Sequence, residues 1–429
     1  MDRRSFARLL GAGLLLPPTL AACGRGSGGS SGDGIRYAWW GDALRQQNYQ
    51  KALDLFQDEN PEIVVQPEFA SYDAFQERMT VQTAGRNVPE LFWVPSPQVL
   101  SYRDAGLYRR VDDLEQFDLS DYTPEQLELY KLDGQLDAMP RSLFSSAFRY
   151  NQTFLEEAGA TLPPEDPGSW NWASVAEFLT DYTNNTPDGR VGAAYSANND
   201  MCFEAWVRQH GGDLWSAEGR LGFEPAVLEG WFEWWEGLRA AGAALSLSEQ
   251  EGPDPEWDVV GSRVLATFCN SNHIVDEAEM YPDVTFQQRR PPADPDADAD
   301  WAFVYLSRIG LYSGTAEDKL ADAATLLDFT LGDARLVELA GLSIGAPANP
   351  RVLEEVRGTA TPTGQELLRL VDQELGLPSR PRFEAPPGSG TWRTIMARGI
   401  ESLAGGVTGI TETAANVMAE INAGVEGSR

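Results

Sequence analysis

Between residues 35 and 94 the chain alternates repeatedly between the hydrophobic period of a strand and that of a helix, and this alternation limits the fold more than any other feature. Ile35–Trp40 is rich in aromatic residues and stops at Gly41-Asp42. Tyr49, Ala52, Leu53 and Phe56 then recur at the i, i+3, i+4, i+7 spacing of a helix lying on a sheet, and Asn60-Pro61 ends it. Residues 63–69 read as a second strand, Asp73 with Gln76 resembles a capping box opening a second helix, and residues 90–94 read as a third strand. Strands alternating with helices predict an α/β fold, a parallel sheet with helices on its faces. Ligands of such sheets gather at the carboxyl ends of the strands, which directs attention to residues 40–42 and 93–97.

The start of the chain speaks to compartment. Arg3-Arg4-Ser5-Phe6 is a twin-arginine start, residues 9–20 are apolar but broken by Pro17-Pro18, and Leu20-Ala21-Ala22-Cys23 has the form of a bacterial lipoprotein cleavage box. The run is too short to span a bilayer, and a buried helix would hold two prolines at about 3 kcal/mol each. The expectation is a signal peptide over residues 1–22, lipid on Cys23, and a Gly/Ser tether to residue 33 reaching roughly 18 Å. Such a protein is exported and held on the outer face of the cytoplasmic membrane by its N-terminal lipid alone.

Charge narrows the partners. With 65 Asp and Glu against 33 Lys and Arg, the net charge is −32. Nucleic acid and anionic lipid both ask for a basic surface and are excluded as partners. A body of this length, 42% hydrophobic with 13 Trp, suits two or more domains. Cys202 and Cys269 form an even pair in an oxidising compartment and are expected to be bridged. Two Cys and two His at wide spacing make no metal site, and no cofactor is expected. Residues 294–300 have the aspartate spacing that opens a calcium loop, but Ala299 stands where glycine is required and Tyr305 where the bidentate Glu belongs, so they read as a solvated loop.

Past a turn at Asp133-Gly134, residues 139–151 form a long extended passage. A Pro-rich segment over residues 162–168 follows, then a helix from about Trp172 with Val175, Phe178, Leu179 and Tyr182 on one face, then a strand over residues 191–195. A second α/β unit has begun. Trp231, Trp234, Trp235 and Leu238 sit at helical spacing and read as core, as does Trp39 on the pleat opposite Trp40.

Trp39-Trp40-Gly41, the FQDENP run at residues 56–61, Pro89-Glu90-Leu91-Phe92-Trp93, the YRDAGL run at residues 102–107, the MPRSLFSSAFRYN passage at residues 139–151 and Gly211-Gly212 occur in a telling order. With the lipoprotein box, the chain resembles the sugar-class extracellular solute-binding lipoproteins of bacterial ABC importers, the superfamily that includes maltose-binding protein. The family usually has Pro-Asp where this chain has Pro89-Glu90. The resemblance implies two discontinuous lobes with a ligand cleft between them: residues 34–144 with 303–347, and residues 145–302 with 348–429. It implies a monomer that captures a carbohydrate by lobe closure and delivers it to a membrane permease.

A sugar offers apolar C–H faces and a rim of hydroxyls, so its site wants aromatic faces and short polar groups. The candidates at loop positions are Trp40, Asp42, Trp93, Ser96, Asn199, Asp200, Glu204, Asn270, Asn272, Arg308 and Trp392. Other readings are a secreted glycoside hydrolase, which needs two carboxylates across a cleft, and a binding protein for a polyamine or glycerol phosphate. Gly341-Leu342-Ser343-Ile344-Gly345 fits G-x-S-x-G, but residues 334–340 read as helix rather than strand, and both histidines, His210 and His273, come earlier in the chain. A serine hydrolase is therefore not expected.

Overall fold

The computed structural model describes residues 34–186, 189–250 and 260–428. The signal, Cys23 and tether readings lie outside these residues. The described strands are β1 (Ile35–Trp40), β2 (Val65–Ala70), β3 (Leu91–Val94), β4 (Ala138–Phe144), β5 (Ser146–Asn151), β6 (Val191–Ala193), β7 (Asp213–Trp215), β8 (Leu221–Gly222), β9 (Val264–Asn270), β10 (Phe286–Arg289), β11 (Tyr305–Leu311) and β12 (Ala346–Pro347). They form a six-stranded sheet in the order β12-β4-β11-β3-β1-β2, a four-stranded sheet in the order β10-β5-β9-β6, and the pair β7-β8. The two larger sheets, each with its own packed helices, are the centres of two α/β lobes.

In the first lobe β1 pairs in parallel with both β2 and β3, as the alternation predicts. The helix Ala43–Glu59 makes the first crossover; Asp42 caps it by accepting from the Arg45 N–H, and it buries Tyr49, Ala52, Leu53 and Phe56 against the sheet. The second crossover helix, Tyr72–Ala84, departs from expectation. Its N-cap is Ser71 and no side chain caps it, so Asp73 and Gln76 make no capping box. Asp73 stands one residue inside the helix, where its charge still suits the positive N-terminal end. β11 then enters antiparallel between β3 and β4, with Arg308 opposite Val94 and Tyr305 opposite Phe144.

β4 and β5 are one extended passage interrupted only at Ser145, and every residue from 138 to 151 is buried. β4 belongs to the first sheet and β5 to the second. In the second lobe β5 pairs antiparallel with β9 and β10, and β6 parallel with β9. The helix Trp172–Asn185 buries Trp172, Val175, Leu179 and Tyr182, leaving Phe178 at the margin. Pro225–Ala240 buries Trp231, Trp235 and Leu238, while Trp234 is partly covered and donates its indole N–H to the Trp172 carbonyl at 3.0 Å. These rings meet edge to face, as aromatic quadrupoles prefer.

Two expectations need correction. The helix Pro350–Arg357 packs on the helix Ala334–Ala340 and on β12, and Pro362–Leu375 touches β10 and the helix His273–Met280 as well as β4 and β12. The expected transfer to the second lobe at residue 348 is therefore too early, because Val352 and Val356 find their apolar cover on the first lobe. Cys202 and Cys269 are two buried thiols, not a cystine. The Cys202 Sγ points at the Cys269 carbonyl, 3.7 Å away, while the Cys269 Sγ accepts from Arg149 Nη1 at 3.1 Å, so each sulfur is turned to a different group. In the 294–300 loop, Asp298 and Asp300 lie 3.5 and 2.9 Å from the Arg380 guanidinium.

Candidate functional site

The carboxyl ends of β1 and β3 face the second lobe. From β1 the chain delivers Trp40, then Asp42 at the helix cap and Arg45 in the first turn. Trp40 is partly exposed, with its ring against Tyr72, Phe75 and Trp93 at centroid distances of 5.4, 5.1 and 5.1 Å. After β3 a 3-10 turn, Ser96–Gln98, leaves Ser96 partly exposed. The second lobe answers with the end of β9, residues 270–272, the start of His273–Met280, the first turn of the helix Asp200–Gln209, and the segment 380–393.

Contacts join the lobes at this end. Arg45 Nη2 lies 2.9 Å from Asp276 Oδ2 and 3.5 Å from the Ser343 carbonyl, which also accepts from Asn272 Nδ2 at 2.6 Å. Arg308 Nη2 is 3.6 Å from Glu384 Oε1. Gly390 comes so close to Gln98 that a Cβ there would sit 2.8 Å from Gln98 Nε2. Tyr72 of the first lobe feels Arg393 and Asp200 of the second, and burial pushes its phenol up to about 12. Burial also pushes the Asp276 carboxyl up to about 6, opposed by Arg45 and reinforced by Asp42 and Glu279. His273, desolvated and near Arg149, Arg393 and Arg45, is held well below the usual imidazole range and is neutral at pH 7.

The structure gathers part of the expected set here. Trp40, Asp42, Ser96, Asp200, Asn270 and Asn272 lie at the facing ends of the lobes. Asp200 is 3.0 Å from Arg393 Nη2. Asn270 Oδ1 and Asn272 Oδ1 are buried acceptors with no protein donor. Of the other five candidates, Trp93, Asn199 and Trp392 sit inside their lobes, while Glu204 and Arg308 are taken up by partners across the junction. Trp93 is 0% exposed, donates to the Tyr37 hydroxyl at 2.8 Å and carries the Arg141 guanidinium 3.2 Å over its ring, so it offers no face for stacking. Asn199 caps its helix by accepting from the Cys202 N–H. Glu204 is buried between Arg382, 2.8 Å away, and the Tyr305 hydroxyl, which donates to it. Arg308 donates to the Tyr130 and Ala138 carbonyls at 2.9 and 2.8 Å. Trp392 stacks on Phe203 with centroids 5.6 Å apart, and Trp215 meets it edge-on.

Arg45, Tyr72, Arg141, Asp276 and Arg393 were not among the sequence candidates. Two had a signal. Arg45 puts a positive charge in the first turn of a helix, where the dipole disfavours it, and Arg141 is the one charged residue in the run 138–148. Two hollows lie away from the junction, one of about 110 Å³ beside Asp118, Asp121, Asp328 and Arg351, the other of about 380 Å³ beside Glu177, Asp181, Glu233 and Trp234.

Two α/β lobes between which the chain crosses in the extended passage β4–β5 and again on its return to β11, with polar groups at their facing ends, define a two-lobed solute-binding fold. Residues 51–364 match the family model of the bacterial extracellular solute-binding proteins, and the chain belongs to that family. It is thus an exported solute-binding protein, of a family defined by binding. Among solved structures, a periplasmic solute-binding protein of Pectobacterium atrosepticum is 18% identical, with a TM-score of 0.80 over 92% of this chain and 99% of that one. An oligogalacturonide-binding protein of Yersinia enterocolitica, solved with saturated digalacturonic acid, is 18% identical, with a TM-score of 0.81 over 92% and 99%. The GacH receptor of Streptomyces glaucescens, solved unliganded and with acarbose, is 16% identical, with a TM-score of 0.73 over 92% and 100%. At these identities the likeness is one of fold.

Proposed function

We propose that the protein is the ligand-capturing subunit of an ABC importer, that its ligand is a carbohydrate, and that the ligand binds where the two lobes face each other. The observations that carry the choice of ligand are the buried amide oxygens on Asn270 and Asn272 at the end of β9 in the second lobe and the partly exposed indole on Trp40 at the end of β1 in the first. Buried acceptors without donors are costly, and sugar hydroxyls supply donors while C–H faces cover the indole. The similar structures with digalacturonic acid and acarbose favour the same chemistry. Trp40, Asp42, Ser96, Asp200, Asn270 and Asn272 would touch the ligand. Closure needs a ligand that prefers the lobes together, since equal affinity for both states shifts nothing. Arg45–Asp276 and Asn272–Ser343 are contacts that separation of the lobes would break. The lobes divide at residues 144/145 and 302/303, and the protein acts as a monomer that delivers its ligand to a membrane permease.

A thermal-shift screen of residues 24–429 against mono- and oligosaccharides tests this reading. A true ligand at about 100 times its dissociation constant adds about 2.7 kcal/mol of stability. A broad sugar panel that leaves the melting curve unmoved would end the carbohydrate reading.

We also propose that the chain is exported through the twin-arginine route and lipidated at Cys23. Cells fed a labelled fatty acid should label the wild-type protein and not Cys23→Ser. Equal label in both would refute the anchor.

A further inference from the structure

Among the described residues, four arginines are buried to 8% exposure or less: Arg141, Arg149, Arg208 and Arg308. A buried guanidinium is strongly disfavoured without an anionic partner. Arg149 pairs with Glu277, Arg208 with Asp213 at 2.8 Å, and Arg308 with Glu384 at 3.6 Å. Among the described residues no carboxylate pairs with Arg141. Its Nε donates to the Ser307 hydroxyl at 3.0 Å, its Nη1 to the Tyr49 hydroxyl at 3.4 Å, and its plane lies over the Trp93 ring at 3.2 Å. Tyr37 and Tyr49 cannot supply the missing charge, because burial pushes both phenols upward and keeps them neutral at pH 7.

The location of this charge matters as much as its isolation. Trp93 beneath it stands edge-on to Trp40, and Arg45, close enough to repel Arg141, forms the inter-lobe pair with Asp276. The other arginines at the junction are occupied: Arg45 by Asp276, Arg393 by Asp200, Arg382 by Glu204. Two hydrogen bonds use two of the five guanidinium N–H donors of Arg141, and 8% of the residue remains exposed. Stacking and the two hydroxyls fix the plane of the fork, which is the preorganisation that two-point recognition of a carboxylate asks for.

We infer that the ligand is a sugar acid and that Arg141 receives its carboxylate. This rests on the carbohydrate reading above and narrows it to saccharides carrying a uronic-type carboxylate. The residues that meet the rest of the sugar are those on the facing ends of the lobes, so the acid group enters deepest, toward Trp93, and the hydroxyl rim stays with Asn270 and Asn272.

Titration calorimetry of residues 24–429 at pH 7 against matched pairs, galactose with galacturonate, glucose with glucuronate, and neutral disaccharides with their diuronates, decides the matter. At least one acid should bind tenfold or more tighter than its neutral counterpart. Arg141→Gln should remove that preference, and Arg141→Lys should keep part of it. If Arg141→Gln does not fold, the wild-type pairs and Arg141→Lys still separate the two outcomes, because only a carboxylate-binding Arg141 gives an acid preference that the Lys variant reduces. Neutral sugars that bind as tightly as their acids, or a preference that survives Arg141→Gln, would overturn the inference and leave the carbohydrate reading standing. A protein that binds no member of any pair would overturn both.

Discussion

Trp392→Ala is expected to lose about 3–5 kcal/mol of stability in the absence of ligand, the cost of emptying a buried Trp site. The side chain is 5% exposed, stacked on Phe203, and belongs to the same apolar cluster as Trp215, Ile395 and Met396. Its loop position makes it a candidate for stacking on a sugar, yet its ring is packed on Phe203 and Trp215 inside the second lobe. The helix Trp392–Ala404 that it opens packs on Ile410–Gly427, which in turn packs on Pro225–Ala240, so the cavity would sit where three helices depend on one another. Denaturant midpoints for wild type, Trp392→Phe and Trp392→Ala should fall in that order. An Ala variant that melts like wild type but binds sugar poorly would return Trp392 to the ligand site.

The second large effect is set by pH. The Asp276 carboxyl sits at about 6 in the folded protein, because burial outweighs the attraction of Arg45, with Asp42 and Glu279 adding to the rise and Ser343 opposing it. An unfolded aspartate titrates near 3.9. A group whose folded value is the higher one stabilises the fold fully below about pH 4 and loses that contribution as pH climbs through about 6. Two units at 1.36 kcal/mol each amount to about 3 kcal/mol. Asp276→Asn should erase this component, so the stability difference between variant and wild type should grow in the variant's favour from pH 4 to pH 7. Parallel stability profiles for the two proteins across that range would dismiss Asp276 as the source.

Features written in local periodicity were legible from the chain. The stripe Tyr49, Ala52, Leu53, Phe56 faces inward because a 3.6-residue period leaves it no other face. Trp39 and Trp40 separate into core and cleft because strand neighbours point to opposite sides. Position at the end of a strand was less informative. Trp93 is in the last pair of β3, but its ring turns into the space already held by Tyr37 and Tyr49, and only the pairing of β3 with both β1 and β11 decides that. Asn199 looked like a ligand group and is a helix cap, a role that polar residues at helix starts fill by default. Arg308 and Glu204 were unreadable for a different reason: their partners, Glu384 and Arg382, lie far along the chain, the latter 178 residues after Glu204, and meet them only through the return of the chain. The inter-lobe groups Arg45, Asp276 and Ser343 carry no common motif, because they are brought together by the docking of two lobes and not by any one element.

β11 has a consequence for how the protein comes to be. It lies in the middle of the first sheet, bonded on one side to β3 and on the other to β4, with Ile309 opposite both Trp93 and Met139. A nascent chain that has reached Ala302 already holds the whole of β1 to β4 and all four strands of the second sheet, but β3 and β4 then have bare hydrogen-bonding edges where their shared neighbour belongs. Open strand edges invite pairing with other chains, and contacts spanning more than two hundred residues close slowly. The second sheet can form early, its lobe gaining the helices Trp392–Ala404 and Ile410–Gly427 only at the end of the chain, whereas the first sheet must wait for β11 to close it. The interval between those two events is the stretch of the protein's life in which a holding chaperone has most to protect.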